Sequence, residues 1–300
     1  MKKTLSLVLA LAMCLSLAAC GGNDSTQDQA GQSGSNPSAS NSSAGSQQGG
    51  SSADAADSDW AKIESSGTMK IGITYFEPMN YFDDNGELTG FETEFATAVC
   101  EKLGVTPEFV EINWDSKVME LQAQTIDCIW NGMTITPALQ EALTISDPYI
   151  KNYQVVVIRS DNAGVYTSTA DLVGKTVEAE AGSAGEAAII GEAADENLKQ
   201  AEYISATKQT DTLLEVKTGA ADAAVLDFVL AGAMVGQGDY SDLMIIPDLQ
   251  LSVEEYGIGF RKDSDAAEKV NQAMQELIDD GTLNTLAEKY DLAELLLANQ

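Results

Sequence analysis

The sequence contains no histidine and few basic residues, and each shortage excludes a class of function. Its 300 residues include no histidine, 16 lysines and arginines, and 47 aspartates and glutamates, for a formal net charge of −31 at pH 7. Without histidine, the commonest general base, the usual zinc ligand and the Ser-His-Asp and Cys-His arrangements are missing. Because phosphate backbones repel so acidic a chain, nucleic acid is excluded as a partner. We expect no metal and no cofactor.

Long apolar runs are scarce as well, and the one at the start belongs to a leader. Residues 1–19 open with Met1-Lys2-Lys3, continue with an apolar stretch and end in small residues before Cys20. This order is typical of an export signal, and the apolar stretch is too short to span a membrane. Leu17-Ala18-Ala19-Cys20 resembles a bacterial lipobox, in which the leader is cut before the cysteine and the cysteine carries the lipid. The alternative is an ordinary secretion signal with a chance cysteine.

Large apolar residues are almost absent from residues 20–59, which consist mainly of Ser, Gly, Gln, Asn, Ala and Asp. Such a segment buries too little surface to offset its ordering entropy, so we predict a flexible linker. The sequence thus predicts an extracytoplasmic protein that reaches the cell membrane only through a lipid on Cys20.

Cysteine is rare in the remaining chain. Cys100 falls on a predicted helix and Cys128 within a predicted strand, each among apolar neighbours. We favour buried structural thiols, and a disulfide is the alternative, because sequence alone does not place the two Cα atoms.

Residues from about 60 onward show alternating strand and helix patterns, which restart at residue 154. Such alternation implies two lobes, each a mostly parallel sheet flanked by helices. The predicted strands are residues 69–73, 108–112, 126–130, 154–158, 176–179, 201–204, 223–226 and 243–246. The predicted helices cover residues 91–103, 118–124, 184–194, 209–218, a segment from 227, and an amphipathic stretch that ends before Gly281.

A series of short motifs then occurs in one order across residues 67–292. They are Gly86-Glu87-Leu88-Thr89-Gly90-Phe91-Glu92, Asn131-Gly132-Met133-Thr134-Ile135-Thr136-Pro137, Ser146-Asp147-Pro148-Tyr149, Gly182-Ser183-Ala184-Gly185, Ala221-Asp222-Ala223, Asp280-Gly281-Thr282 and Glu288-Lys289-Tyr290. Together they make the chain resemble the polar amino-acid type of extracellular solute-binding protein (family 3), which serves ABC importers.

The resemblance implies an α/β, two-lobed periplasmic-binding-protein-like (type II) fold that closes on a small solute. Lobe one is expected to comprise residues 60–150 and 254–300, and lobe two residues 151–253. The expected partners are an amino acid or analogue and the ABC permease subunits, and the expected state is a monomer.

Matching positions of the family also predict a ligand site. Phe76 and Trp114 match its aromatic walls, although both residues are also suited to the core. Gly132 and Thr134 match positions that offer backbone and hydroxyl hydrogen bonds, and Asn131 belongs to the same motif.

Lobe two is expected to supply the remaining contacts. Ser183 and Ala184 lie where a strand meets a helix, and free amides there attract a carboxylate; a plain N-cap is the alternative. Asp227 ends a predicted strand and matches the aspartate that pairs with the ligand's amino group, or else caps the next helix. Glu180 is placed to face the distal end of the ligand, with a solvated surface position as the alternative.

One position departs from the family pattern. Leu139 stands where the family has an arginine that binds the ligand's carboxylate. The carboxylate then rests on lobe two alone, or another cation such as Lys151 substitutes, or the ligand has no α-carboxylate there.

We therefore predict a binding protein and not an enzyme. A dehydratase-like enzyme with Glu180 as general acid and a solute sensor on the same fold are the alternatives.

Overall fold

The structure of this protein is a computed structural model, and it describes residues 58–300. The predicted leader, the lipidation site Cys20 and nearly all of the predicted linker lie outside the described residues. Among residues 58–300, no helix is long and apolar enough to cross a membrane.

The described residues form twelve strands and nine α-helices. The strands are β1 (Thr68–Ile73), β2 (Tyr81–Phe82), β3 (Leu88–Thr89), β4 (Thr106–Glu111), β5 (Cys128–Ile129), β6 (Leu143–Ile145), β7 (Ile150–Arg159), β8 (Thr176–Glu180), β9 (Glu202–Ala206), β10 (Ala223–Asp227), β11 (Leu243–Tyr256) and β12 (Gly259–Arg261). The helices are α1 (Asp59–Ser66), α2 (Phe91–Leu103), α3 (Lys117–Gln122), α4 (Pro137–Ala142), α5 (Ala184–Ile190), α6 (Gln209–Thr218), α7 (Phe228–Met234), α8 (Ala266–Asp279) and α9 (Thr282–Lys289).

Two five-stranded sheets organise the chain. The first has the order β4-β1-β5-β12-β6, and the second has the order β11-β7-β10-β8-β9. We call the first sheet and its helices lobe one, and the second sheet and its helices lobe two. The two-lobed α/β fold predicted from the sequence is confirmed, while the residue numbers at which one lobe passes into the other stay a prediction.

Strand pairing is more mixed than the mostly parallel sheets that we expected. In lobe one β1 pairs parallel with β4 and β5, whereas β12 pairs antiparallel with β5 and β6. In lobe two β8 pairs parallel with β9 and β10, whereas β7 pairs antiparallel with β10 and β11. Each lobe therefore combines parallel and antiparallel pairs in one sheet.

The connection between the lobes is the long β7–β11 pair. It extends from Ile150 opposite Tyr256 to Arg159 opposite Leu243, with register shifts around Gln250. The sequence indicated a strand only near residues 243–246, because Pro247 interrupts its pattern. The strand continues past this irregularity, where Asp248 adopts a left-handed φ of 59°.

Local sequence explains the main helices. In α2 the buried Phe91, Phe95 and Val99 form one face, and Gly104 ends the helix with a left-handed φ of 72°. The predicted helix 184–194 ends earlier, at Ile190, because the chain turns to an extended conformation at Gly191. Cys100 and Cys128 are both free and buried, as we favoured.

Gly185 lets α5 approach β10 closely. A Cβ atom there would lie 2.5 Å from the carbonyl oxygen of Val225, whereas one at Gly232 of α7 would have its nearest neighbour at 3.7 Å. We expect Gly185→Ala to destabilise the fold by about 1–3 kcal/mol, because backbone must move. Gly232→Ala is the matched control and should be neutral or stabilising by up to about 1 kcal/mol. Urea unfolding measures both, and equal midpoints would contradict this packing.

Candidate ligand-binding cleft

A cavity of about 470 Å³ lies between the two lobes. Lobe one contributes Trp114, Lys117 and residues between 132 and 139, and lobe two contributes residues between 182 and 191 together with Gln209 and Asp227. The volume falls in the range of pockets that bind small molecules. Trp114, Gly132, Thr134, Ser183, Ala184 and Asp227, all predicted from the sequence, line this one space.

Phe76, Asn131 and Glu180 were also predicted, but they are not among the residues that line the cavity. Phe76 lies next to Gly132, where its ring would be 3.1 Å from an added Cβ. Asn131 accepts a hydrogen bond from the Thr74 hydroxyl (2.6 Å) and donates one to the Thr74 carbonyl (2.9 Å). Phe76 is thus adjacent to a lining residue and Asn131 is bonded to Thr74, and their contact with a ligand stays a prediction.

Glu180 ends β8 and is only 3 % exposed, so the solvated alternative is wrong. Its Oε1 atom has no hydrogen-bond partner among the described residues. Burial, together with the charge of Asp227, raises the pKa of Glu180 to about 8. The residue adds an unpaired acid close to the cleft without lining it.

A buried carboxylate accepts a hydrogen bond from the backbone of Gly132. Its amide donates to Oε1 of Glu92 at 2.7 Å, and Glu92 also accepts from Tyr149 and from Asn80 (2.8 Å). Burial raises the pKa of Glu92 to about 7 in spite of these bonds. Since the Gly132 amide is already engaged, this N–H is not free for a ligand.

Two carboxylates share their hydrogen-bond donors at the point where the lobes connect. The side-chain amides of Asn152 and Gln154 each donate to both Oδ1 of Asp227 and Oε1 of Glu254. The hydroxyl of Thr134, from lobe one, donates to the same Glu254 oxygen at 3.0 Å. We call Asn152, Gln154, Asp227 and Glu254 the carboxylate network; all four lie in lobe two or in the strands that connect the lobes.

Asp227 does not cap the helix that follows it. It precedes α7 but makes no capping hydrogen bond through its side chain. Asn152 accepts from the Val229 amide instead, at 3.2 Å. Gln209 donates to the second oxygen of Asp227, which lines the cavity and is 5 % exposed. The carboxylate is therefore directed to the cleft and the carboxylate network.

Because the carboxylate network is buried, two negative charges on it are energetically unfavourable. Burial, and secondarily repulsion by Asp227, raises the pKa of Glu254 to about 7. Burial also raises the pKa of Asp227, although its hydrogen bonds act in the opposite direction. A cation placed against Asp227 would relieve the repulsion that the paired carboxylates experience.

Across the cavity, the lobes touch each other. Lys117 Nζ lies 4.5 Å from the centre of the Trp114 ring and donates to the Gly182 carbonyl of lobe two at 2.8 Å. Nearby, Lys208 of lobe two forms an ion pair with Glu111 of lobe one at 2.8 Å. The two lobes are thus in direct contact at the cleft.

The start of α5 confirms the N-cap alternative for Ser183, while the binding of a carboxylate there stays a prediction. Ser183 lines the cavity and is also the N-cap, because its hydroxyl accepts from the Glu186 amide at 3.1 Å. The Glu186 carboxylate accepts from the Gly182 amide at 2.8 Å. One amide of the expected anion cradle is therefore already occupied by an acid of the protein.

These features match a known family. Residues 69–293 match the model of bacterial extracellular solute-binding proteins, family 3. The chain belongs to this family.

Named relatives of this family 3 protein are amino-acid-binding proteins. The chain is 29 % identical to the arginine-binding extracellular protein ArtP of Bacillus subtilis, over 73 % of this chain and 84 % of that protein. It is 28 % identical to the L-cystine-binding protein TcyJ of Escherichia coli, over 76 % and 84 % of the two chains. A substrate-binding protein of a Streptococcus pneumoniae ABC uptake transporter, solved with bound histidine, superposes with a TM-score of 0.71 at 29 % identity, covering 81 % of this chain and 99 % of the other.

Sequence reasoning missed several residues of the family 3 cleft. Lys117 stands three residues after Trp114, a spacing that places both on one side of a helical turn. Asn152 and Gln154 alternate with Tyr153 at the start of β7, so the strand period put their side chains on one face. Glu254 gave no comparable signal, because the sequence did not predict a strand at that point.

Glu254 offers a pH-dependent test of the carboxylate network. Its folded pKa of about 7 lies above the ordinary value of 4.5, so the folded state retains the proton more tightly. The contribution of Glu254 to the unfolding free energy should therefore be highest below about pH 4.5 and fall as the pH rises towards 7. Glu254→Gln keeps the Oε1 acceptor without the charge, and we expect it to gain about 1–3 kcal/mol over the wild type at pH 8.

Urea unfolding from pH 4.5 to pH 8 measures this effect. Glu255→Gln is the matched control, because Glu255 is the next residue in β11 and is exposed. If the unfolding free energy of Glu254→Gln varied with pH in parallel with that of Glu255→Gln, the raised pKa that we assign to the buried Glu254 would be contradicted.

Proposed function

We propose that this protein captures one amino acid between its lobes and delivers it to the permease of an ABC importer. Family membership and the ligands of its relatives, arginine, cystine and histidine, support this proposal. These relatives are binding proteins, so we propose binding without turnover. An ammonium and a carboxylate are the two groups that all three ligands share.

One observation carries the proposal: the buried carboxylate of Asp227 lines a cavity that both lobes enclose. Its carboxylate is surrounded by amide donors and by a second acid, and no lysine or arginine in the described residues forms an ion pair with it. A ligand ammonium supplies the missing positive charge, and charge-assisted hydrogen bonds of this kind are short and strong. The indole face of Trp114 offers an apolar surface to the rest of the ligand.

Lobe closure is the proposed signal for the permease. Contacts across the cleft, between Lys117 and Gly182 and between Lys208 and Glu111, form only when the lobes approach. A ligand that touches both lobes binds the closed form better than the open form and so shifts the population towards closure.

The anchoring of the protein is also part of the proposal. The leader of residues 1–19, the lipidated Cys20 and the linker to residue 59 would hold a monomer outside the cytoplasm, at the membrane that contains the permease. Mass spectrometry of the membrane-extracted protein tests the lipid on Cys20, and an unmodified residue 20 in the mature chain would contradict it.

Calorimetry with the standard L-amino acids and L-cystine tests the binding function. We expect at least one of them to bind with one-to-one stoichiometry, and small-angle scattering should then show a smaller radius of gyration. The absence of both binding and compaction across the whole panel would contradict the proposal.

Asp227→Asn tests the residue that carries the argument. Loss of a hydrogen bond to a charged group costs about 1.5–3 kcal/mol, so the affinity for the bound amino acid should fall about 10- to 100-fold. Asp211→Asn is the matched control, since Asp211 is an exposed acid on α6 of the same lobe. Calorimetry measures both variants, and equal affinities would remove Asp227 from the site.

A further inference from the structure

No arginine of the described residues lines the cleft, so a ligand carboxylate needs another positively charged partner. Arg261 bonds to Asp59 and to backbone carbonyls of lobe one, and Arg159 pairs with the exposed Asp161. Leu139 lines the cavity but is apolar. Lys117 is the only cation among the described residues that line this cavity.

Lys117 is a buried cation with an incomplete set of partners. It is 7 % exposed, and its ammonium donates to the Gly182 carbonyl (2.8 Å) and to the Trp114 carbonyl (3.2 Å). A lysine ammonium has three N–H donors, so one donor remains for another acceptor. The indole ring of Trp114 lies against the same ammonium, at 4.5 Å.

The charge of Lys117 is also not neutralised by direct pairing. Glu180, Asp115 and Glu186 are near enough to oppose the lowering of the Lys117 pKa by burial. However, none of these acids forms an ion pair with Lys117 in residues 58–300. A buried charge that is bonded only to neutral carbonyls favours an anionic partner.

We propose that Lys117 binds the α-carboxylate of the ligand and couples its recognition to lobe closure. This inference rests on the proposed function, and it assigns to Lys117 the role that the family pattern gives to an arginine at the position of Leu139. The ammonium belongs to lobe one and bonds to Gly182 of lobe two, so a carboxylate on its third donor is connected to both lobes. Lys151, the cation that the sequence suggested, does not line the cavity.

The test compares an amino acid with its α-carboxamide, which keeps the shape and the ammonium but has no negative charge. The probe is the amino acid of the calorimetry panel that binds the wild-type protein most tightly. We expect the wild type to prefer the acid over the amide by about 10- to 100-fold, the range of a charge-assisted hydrogen bond. In Lys117→Met this preference should fall to about threefold or less.

Lys208→Met is the matched control. It also removes one lysine and one contact between the lobes, but Lys208 is not among the residues that line the cavity. It should therefore retain the wild-type preference for the acid. Lys117→Arg, which keeps the charge, should retain most of that preference and serves as the reporter if Lys117→Met does not fold, as judged by circular dichroism.

The outcomes separate the two proposals. A wild type that binds no amino acid contradicts the proposed function. A wild type that binds an amino acid and its amide equally well overturns the role of Lys117 alone. A Lys117→Met variant that keeps the wild-type preference for the acid also overturns the role of Lys117. So does a folded Lys117→Arg variant that loses this preference while Lys208→Met retains it.

Discussion

Two carboxylates that share the same amide donors organise this molecule. Asp227 and Glu254 are both buried, and Asn152 and Gln154 donate to both of them at the point where the long strands leave lobe one. Placing two acids together in the interior is unfavourable unless donors and a counter-charge compensate. The protein supplies the donors through β7. The network therefore joins β7, β10 and β11 by side-chain hydrogen bonds. We propose that the ligand in the cleft supplies the positive charge that the network lacks.

The other features of the cleft follow from this arrangement. Asn152 caps α7, which leaves Asp227 directed to the cavity. Thr134 connects lobe one to Glu254, so the network is bonded to both lobes. Lys117, the one cation among the described residues that line the cavity, touches lobe two through Gly182. The cavity thus presents both an acidic group, Asp227, and a basic group, Lys117, and a zwitterionic solute offers a partner to each.

Sequence reasoning predicted the fold well because the periodic patterns of strands and helices are local. The positions of α2 and α6 and the free, buried cysteines agree with the structure. Trp114 and Asp227 could be placed in the lining because they match positions of the family. Lys117 and Glu254 could not, since their partners Gly182 and Gln154 are 65 and 100 residues away in the chain, and only the folded lobes bring them together. Phe76 and Asn131 were predicted to bind the ligand but are not among the described residues that line the cavity, a difference in side-chain position that no sequence pattern encodes.

A crystal structure of the protein, grown with a saturating mixture of L-amino acids, tests the central claim most directly. The account predicts one amino acid between the lobes, with its ammonium nitrogen about 3 Å from an oxygen of Asp227. Electron density for an amino acid at another place, or a closed cleft that holds only water under these conditions, would contradict it.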